Sequence, residues 1–182
     1  LYRADSVVRF DTNGVLLERE YEDGTSLHYG YDGVGRLSTL THSTGRALQI
    51  GYVGASPEAA IDAITLDGIA LATYGYDQRG MVSSVTYADG KTRVYHYEDS
   101  RYPTYLTGVT AEDGQRYSTF VYDDKGRAVS SHHHDGIDGV TLAYPLMGGT
   151  VVTDALGKQP TYSLTPEGDG PRTITVVADT GD

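Results

Sequence analysis

The sequence predicts an all-β fold in which antiparallel β-hairpins are repeated about seven times. The first observation is an aromatic-Asp-x-x-Gly motif that occurs four times in 182 residues. The second is a further Gly between successive motifs, as in EDG at 22–24 and ADG at 88–90. The third is the alternation of apolar and polar residues between these signals. Together they indicate a repeat architecture, because each short unit can bury surface only against its neighbours.

Each repeat opens on an aromatic residue, its anchor. The anchors are Phe10, Tyr31, Tyr52, Tyr76, Tyr97, Tyr122 and Tyr144, spaced 21 to 25 residues apart. The complete motifs consist of Phe10, Asp11 and Gly14; Tyr31, Asp32 and Gly35; Tyr76, Asp77 and Gly80; and Tyr122, Asp123 and Gly126. At the other three anchors the aromatic residue stands alone. The repeats fill residues 1–182, so we expect a single repeat region with no separate domain.

The runs between the motifs have the pattern of half-buried strands. In TSLHYGY at 25–31, Leu27, Tyr29 and Tyr31 alternate with small or polar residues, and a period of two indicates a strand. The run RLSTLTH at 36–42, which follows an anchor, is rich in residues that favour strands. The x-Asp-Gly sequences are hairpin signals. Each repeat is therefore predicted to be strand, turn, strand, turn.

Every position of the motif has a structural interpretation. An Asp directly after a strand can bind backbone N–H groups two residues on and close the turn. A Gly three positions later can adopt a positive φ without steric cost. The anchor Tyr closes the inward face of the strand and extends its hydroxyl to a polar edge. Gly30, Gly51 and Gly75 precede three anchors, where we expect a backbone or a ring to approach closely.

Two arginines follow the Gly of a motif, Arg36 and Arg127. Each is predicted to stack on a Tyr of the next repeat or to pair with an Asp. Anion binding is the alternative role for these two side chains.

Two repeats are longer than the others. In ASPEAAIDAI at 55–64, the residues 56–60 favour a short turn or one helical turn before a strand that starts near Ile61. In SRYPTYL at 100–106, Pro103 lacks the N–H that a sheet ladder requires. We therefore place Pro103 in a connecting bend or at a sheet edge.

The ordered Tyr-Asp-x-x-Gly-Arg series resembles the Tyr-Asp repeats of the RHS (rearrangement hotspot) family. The resemblance rests on YDGVGRLSTL at 31–40 and YDDKGRAVSS at 122–131, and residues 84–130 are especially similar to RHS proteins of proteobacterial polymorphic toxins. More distant relatives are the C component of insecticidal Tc toxins and the teneurins. The resemblance implies a curved β-sheet strip that is part of a spiral, cocoon-like shell around a C-terminal toxin.

The resemblance also implies a role. The chain would be shell wall, with no enzyme activity and no cofactor, and would help deliver a toxin in interbacterial competition through a type VI secretion machine. Its partners would be neighbouring RHS repeats and the enclosed toxin, and through other domains a secretion spike and a chaperone. The parent protein would be made in the bacterial cytoplasm and secreted. Since such shells take many hundreds of residues, we expect these 182 to be an excerpt of a larger protein.

The alternative function is a module that binds carbohydrate or a cell-surface partner. Such a module needs aromatic rings on the solvent face, and Tyr87, Tyr95 and Tyr117 are candidates. The alternation favours burial for most of the Tyr residues, since they share a face with Leu and Ile. The shell wall is therefore the preferred interpretation.

Composition argues against several other partners. The net charge of −11 disfavours nucleic acid, whose phosphates require basic surfaces. There is no apolar run of about 18 residues, so no membrane-spanning helix is predicted. With no cysteine, the fold needs no disulfide. Tyr, at 16 residues against two Phe and no Trp, supplies nearly all the aromatic packing.

The strongest candidate for chemistry is SHHHDGIDG at 131–139. We expect His132 and His134 to project from one face of a strand, with Asp135 and Asp138 close by, and His is a common metal ligand. A polar hairpin is the preferred interpretation, since other repeats carry ADG or EDG at this position. The sequence also lacks an EF-hand loop and a G-x-S-x-G elbow. No catalytic, metal or cofactor residue is therefore predicted.

The two terminal runs predict self-association. LYRADSVVRF at 1–10 and PRTITVVADTGD at 171–182 are unlike the polar caps that usually close repeat arrays. Both contain β-prone segments. Unprotected strand edges pair readily with other chains, so we expect the isolated chain to associate through them.

Overall fold

The structure is a computed structural model in which residues 6–146, 149–165 and 173–177 are described. Parts of both terminal runs lie outside these residues, and so do residues 147–148. The chain divides into two halves, Leu1–Thr92 and Arg93–Asp182. Within the described residues there is no α-helix, and none of their helical turns is long and apolar enough to span a membrane.

The first half is an antiparallel sheet in which each strand pairs with the next one along the chain. Its strands are β1 (Ser6–Phe10), β2 (Leu16–Tyr21), β3 (Ser26–Tyr31), β4 (Leu37–His42), β5 (Ala47–Tyr52), β6 (Ile61–Leu66), β7 (Ile69–Tyr76) and β8 (Val82–Tyr87). The anchor ends every odd-numbered strand of this half. This sequential pairing confirms the predicted all-β repeat of hairpins.

The second half follows the same rule of sequential antiparallel pairing. Its strands are β9 (Thr92–His96), which begins at the last residue of the first half, β10 (Gly108–Thr110), β11 (Arg116–Tyr122), β12 (Ala128–His133), β13 (Val140–Ala143), β14 (Thr150–Thr153), β15 (Thr161–Thr165) and β16 (Thr173–Val177). A 3₁₀ turn, His134–Gly136, joins β12 to β13.

The irregular segments behave largely as the sequence predicts. Residues 57–58 form a turn, and β6 begins at Ile61. Pro103 lies in the connection between β9 and β10, outside the ladder. The short helical element is found at His134–Gly136 and not at 56–60. Ser56 explains this, because its hydroxyl and carbonyl accept the N–H groups of Glu58 and Ala59, which closes a turn without continuing it.

The sheets have almost no interior. Among the described residues the buried apolar side chains are Val85 and Val109, at 6% and 9% exposure. The anchor tyrosines are half-buried, and Phe10 is 59% exposed. A single layer of strands cannot bury both faces, so the backbone ladder, the cross-strand pairs and the turns carry the stability. The turns contain the residues that the sequence repeats.

Candidate functional site: the anchor turns

The anchor turns follow the odd-numbered strands, and the turn at Asp32 shows their geometry. The N–H of Gly35 donates to the carbonyl of Asp32 at 3.0 Å, and the N–H of Asp32 donates to the carbonyl of Arg36 at 2.9 Å. Oδ1 of Asp32 accepts the N–H groups of Val34 and Arg36, each at 3.0 Å. Gly35 has a φ of 87°, a left-handed conformation that suits Gly. The carboxylate thus holds together a β-turn that ends in a Gly bulge.

The other three complete motifs form the same turn. Oδ1 of the motif Asp accepts two N–H groups at 2.8–2.9 Å: Asn13 and Val15 at Asp11, Arg79 and Met81 at Asp77, and Lys125 and Arg127 at Asp123. Gly14, Gly80 and Gly126 have φ values of 73–83°. The predicted motif residues are therefore brought together within each turn, in four separate places along the chain.

Hydrogen bonding keeps the motif carboxyl groups ionised. The backbone N–H and then the guanidinium of Arg127, together with the N–H of Lys125, lower the pKa of Asp123 from 3.8 to about 2. The pKa of Asp32 is also lowered, chiefly by the backbone N–H of Arg36. The backbone N–H groups of Val15 and Met81 are the largest causes that lower the pKa of Asp11 and Asp77. Such donors favour the charged carboxylate, and the resulting bonds are charge-assisted.

The hydroxyl groups of five anchor tyrosines each join a repeat to the one before it. Each donates to a backbone carbonyl 15 or 16 residues earlier: Tyr31 to Leu16 at 2.9 Å, Tyr52 to Leu37 at 2.7 Å, Tyr76 to Ile61 at 2.6 Å, Tyr122 to Leu106 at 2.8 Å and Tyr144 to Ala128 at 2.5 Å. Phe10 has no hydroxyl to donate. These bonds fix the register of one hairpin against the previous turn.

Arg36 and Arg127 connect their turn to the next anchor. Nε of Arg36 lies 2.8 Å from Oδ2 of Asp32, and its guanidinium carbon lies 4.1 Å from the ring centre of Tyr52. The same guanidinium donates to carbonyls in the loop 54–56 at 3.1 and 2.7 Å. Arg127 makes the equivalent pair with its motif Asp and lies 4.1 Å from the ring centre of the next anchor. In both places ion pairing and cation–π stacking occur together.

The connection between β9 and β10 places aromatic rings where Arg36 and Arg127 stand elsewhere. Tyr102 follows its anchor by five residues, as Arg36 does. The ring of Tyr102 stacks on Tyr105 at 4.9 Å, and Tyr105 meets the anchor Tyr122 edge-on at 5.0 Å. This longer repeat therefore covers the next anchor with aromatic surface in place of a cation.

The turns at the other edge of the sheets, which we call the opposite turns, follow even-numbered strands. At 21–25, the N–H of Gly24 donates to the carbonyl of Tyr21 at 3.0 Å, and the N–H of Tyr21 donates to Thr25 at 2.9 Å. The Asp now stands third in the turn. Asp23 accepts the N–H of Thr25, Asp89 that of Lys91 and Asp113 that of Gln115, at 2.9–3.0 Å. At these three opposite turns, as at the anchor turns, an Asp thus binds the N–H that follows the Gly.

The glycines before the anchors are explained differently from the prediction. Gly30 pairs across the sheet with Thr39, and Gly75 pairs with Ser84. A Cβ at either Gly would collide with the hydroxyl of its partner, so a side chain makes the close approach, and not a backbone or ring. At Gly51 a Cβ would lie 3.7 Å from the carbonyl of Ala63, which is an ordinary contact.

The predicted arrangement of the histidines is wrong at His134. His132 and His133 end β12, but His134 begins the 3₁₀ turn because Asp135 adopts a φ of 56° and turns the chain. His132 and His134 therefore do not share a strand face. No group of three or more His, Asp or Glu side chains in the described part of the chain is arranged to hold a metal ion.

Sequence reasoning identified the turn residues but missed their long-range partners. The carbonyl acceptors of the tyrosine hydroxyls belong to residues such as Leu16 and Leu37, which carry no motif of their own. The constant offset of 15 or 16 residues from each anchor is the signal that would have located them. The covering role of Tyr102 and Tyr105 has a similar signal, since Tyr102 occupies the position of Arg36 within its repeat.

Residues 10–47 match the family described as RHS Repeat. No curated protein matches the chain. The solved structures that resemble it across nearly its whole length include TcdB2-TccC3-Cdc42, at a TM-score of 0.59, 15% identity and 97% coverage of this chain, and TcdB2-TccC3 without its hypervariable C-terminal region, at 0.59, 15% and 98%. At this identity the likeness concerns the fold. The chain spans 12% of the length of the chains it matches.

Proposed function

We propose, from the RHS repeat that the chain carries at residues 10–47, that it is a segment of the wall of a shell that encloses a toxin. The observation that supports this role is the recurrence, along the described residues, of one hairpin unit that a tyrosine hydroxyl bonds to the previous unit. A wall needs a unit that can be added many times, strands that pair in sequence, and edges that hold successive units in register. The anchor turns provide the last of these.

The side chains of the motif support a structural role over turnover. At Asp32 the carboxylate is occupied by two backbone N–H groups and by Arg36. The hydroxyl of Tyr52 is occupied by the carbonyl of Leu37. Groups whose hydrogen-bonding capacity is used inside the fold are poor candidates for acid, base or nucleophile. On this proposal the segment is not an enzyme and requires no cofactor.

The wider setting is part of the proposal. The segment belongs to a larger protein that is made in the bacterial cytoplasm and exported, by a type VI machine, for competition between bacteria. Its direct partners are neighbouring repeats and the enclosed C-terminal toxin. A secretion spike and a chaperone would act through other domains. The net charge of −11 disfavours nucleic acid as a partner.

Limited proteolysis of a longer protein that contains this chain tests enclosure. The C-terminal segment inside the shell should survive a protease concentration that digests the same segment expressed alone. A tyrosine-to-phenylalanine change at one anchor serves as the control variant, because it should leave the sheet folded. Equal digestion rates for the enclosed segment and for the same segment expressed alone would contradict enclosure.

Two exposed tyrosines support the second candidate function, carbohydrate binding. Tyr117 is 52% exposed and Tyr105 is 39% exposed, and an exposed ring can stack on a sugar. Tyr87 and Tyr95 are half-buried and less suited to this role. A glycan array with the purified chain separates the candidates: binding that is lost in Tyr117→Ala favours the module, whereas an array without signal favours the wall.

Self-association through strand edges is also proposed. The outer strand β1 exposes Val7 at 58% and Val8 at 41%, and within the described residues β1 pairs with β2 alone. Strands of this kind add further strands readily. Light scattering over a concentration series should show a rising mass, and Val8→Lys should reduce it. A constant monomer mass would contradict the proposal.

A further inference from the structure

The two faces of the sheet in the first half differ in chemistry. Residues that pair directly across strands share a face. One face carries the row Tyr29, Leu40, Leu48 and Leu66 on β3 to β6. The other face carries the row Gly30, Thr39, Gln49 and Thr65 on the same strands. One face is therefore apolar and the other is polar and small.

The apolar face contains an open pocket of about 340 Å³. Four leucines line it, Leu27, Leu40, Leu48 and Leu66, together with His42 at the end of β4 and Thr44 and Arg46 from the β4–β5 turn. All four leucines remain partly exposed. The volume is at the small end of the range for ligand sites and suits one or two side chains.

The rim of this pocket carries Arg46, which is ion-paired with Asp67. The side chain of Arg46 is 64% exposed, and its Nε donates to Asp67 at 3.2 Å. Its two terminal nitrogens have no hydrogen-bond partner among the described residues. Asp67 is itself held by the N–H of Ala47, the largest cause that lowers its pKa. Arg46 is therefore positioned by Asp67 and still has donors to offer a ligand.

His42 contributes a second donor. Its Nδ1 accepts the backbone N–H of Thr44 at 3.2 Å and lies 2.8 Å from the Thr44 hydroxyl. Because a backbone N–H can only donate, Nδ1 is the acceptor, and the neutral ring carries its proton on Nε2. The pocket therefore combines an apolar floor with two N–H donors on one rim, in a chain whose net charge is −11.

We propose that this pocket binds an extended polypeptide segment in which an apolar side chain stands next to a carboxylate. The apolar side chain lies on the leucines, and the carboxylate pairs with Arg46 and His42 Nε2–H. A polypeptide fits better than a free small molecule because the apolar surface continues past the pocket through the cross-strand pair Ile50 and Ile64. The inference rests on the proposed wall function, in which one face of the sheet meets an enclosed polypeptide.

The test is a titration of the leucine-labelled chain with two blocked peptides, Gly-Leu-Glu-Leu-Gly and Gly-Leu-Gln-Leu-Gly, followed by methyl NMR. The Glu peptide should shift the methyl signals of Leu27, Leu40, Leu48 and Leu66 and bind about tenfold more tightly than the Gln peptide. Arg46→Gln should remove that tenfold preference, since the charge-assisted pair is lost. Arg79→Gln removes the same charge from an exposed side chain outside the pocket and should leave the preference unchanged.

Different results would contradict the pocket and the polypeptide assignment. Equal shifts along the whole apolar face, or equal binding of the two peptides, would overturn the pocket. Tighter binding of octanoate than of the Glu peptide would overturn the polypeptide assignment. Neither result concerns enclosure, which the protease experiment measures on the longer protein. Retained methyl dispersion in Arg46→Gln shows that a lost preference is not a lost fold.

Discussion

The anchor turn at 32–36 and the opposite turn at 21–25 share one backbone path but differ in what they hold. At 32–36 and at 21–25 alike, a Gly N–H closes a β-turn and an Asp binds the N–H after that Gly. At the anchor edge, however, the carboxylate binds a second N–H, the Tyr hydroxyl reaches the previous repeat, and Arg36 reaches the next anchor. The opposite turn ends a hairpin, whereas the anchor turn also joins repeats.

The turn at Asp154 shows that the form of a turn depends on its local sequence and not on the edge of the sheet where it lies. The turn at 154–158 follows β14, an even-numbered strand, yet its sequence DALG places Asp first. Oδ1 of Asp154 accordingly accepts two N–H groups, those of Leu156 and Lys158, each at 2.9 Å. At this turn the residue before the Asp is Thr153 and not a Tyr. The anchor residue is therefore the part of the motif that distinguishes the joining edge.

The largest effect should come from the feature that the two turns share. Gly35→Val and Gly24→Val should each lower the free energy of unfolding by about 1–3 kcal/mol, because a β-branched residue is strained at positive φ. A Cβ meets open space at both positions, so conformation alone is changed. Chemical denaturation measures the loss. Gly126→Val should cost more, since a Cβ there lies 3.2 Å from the hydroxyl of Tyr105.

Unequal losses of unfolding free energy in Gly35→Val and Gly24→Val would contradict the statement that both turns have the same backbone requirement. The conservative control is Ala at each position, which tests positive φ without a branched side chain. If the Val variants at both edges are as stable as the parent, the repeated Gly serves a purpose other than the turn.

A smaller effect on stability should distinguish the Asp carboxylate of an anchor turn from that of an opposite turn. Asp32→Ala removes the acceptor of two N–H groups and the partner of Arg36, and it should lower the melting temperature by about 2–4 °C. Asp77→Ala and Asp123→Ala should act similarly. Asp113→Ala removes the acceptor of one N–H and should cost about half as much. Thermal unfolding followed by circular dichroism measures both, and equal shifts at the two edges would contradict the distinction.

The sequence predicts local features better than relations between repeats. The Asp, the Gly and the alternation lie within a few residues, so a turn and a strand follow from them directly. The hydroxyl bond of Tyr52 depends on how one hairpin lies on the previous one, and Leu37 offers a carbonyl that any residue has. The sequence also does not predict the near absence of a core, since Leu40 and Leu48 have the pattern of core residues but line an open face.

The tyrosine hydroxyl should have an effect confined to the anchor edge. Tyr52→Phe keeps the ring on Arg36 and removes one hydrogen bond to a backbone carbonyl, so it should cost about 0.5–1 kcal/mol. Tyr29→Phe is the matched control, because the Tyr29 hydroxyl has no hydrogen-bond partner among the described residues. Hydrogen exchange should speed up near Leu37 in the first variant. Equal behaviour of the two variants would show that the hydroxyl bond does not join repeats.

The smallest expected effect is an acid dependence that is strongest at the anchor edge. The pKa of Asp123 is lowered from 3.8 to about 2 by the N–H groups and the guanidinium that bind its carboxylate. Its stabilising contribution is therefore complete above about pH 4 and is lost as the pH falls from 3.8 towards 2. Asp123→Asn keeps an acceptor oxygen but cannot titrate, so it should lose less stability than the parent between pH 5 and pH 2. Urea midpoints at the two pH values, compared between parent and variant, measure this difference, and identical acid losses would show that the anchor carboxylate contributes nothing through its charge.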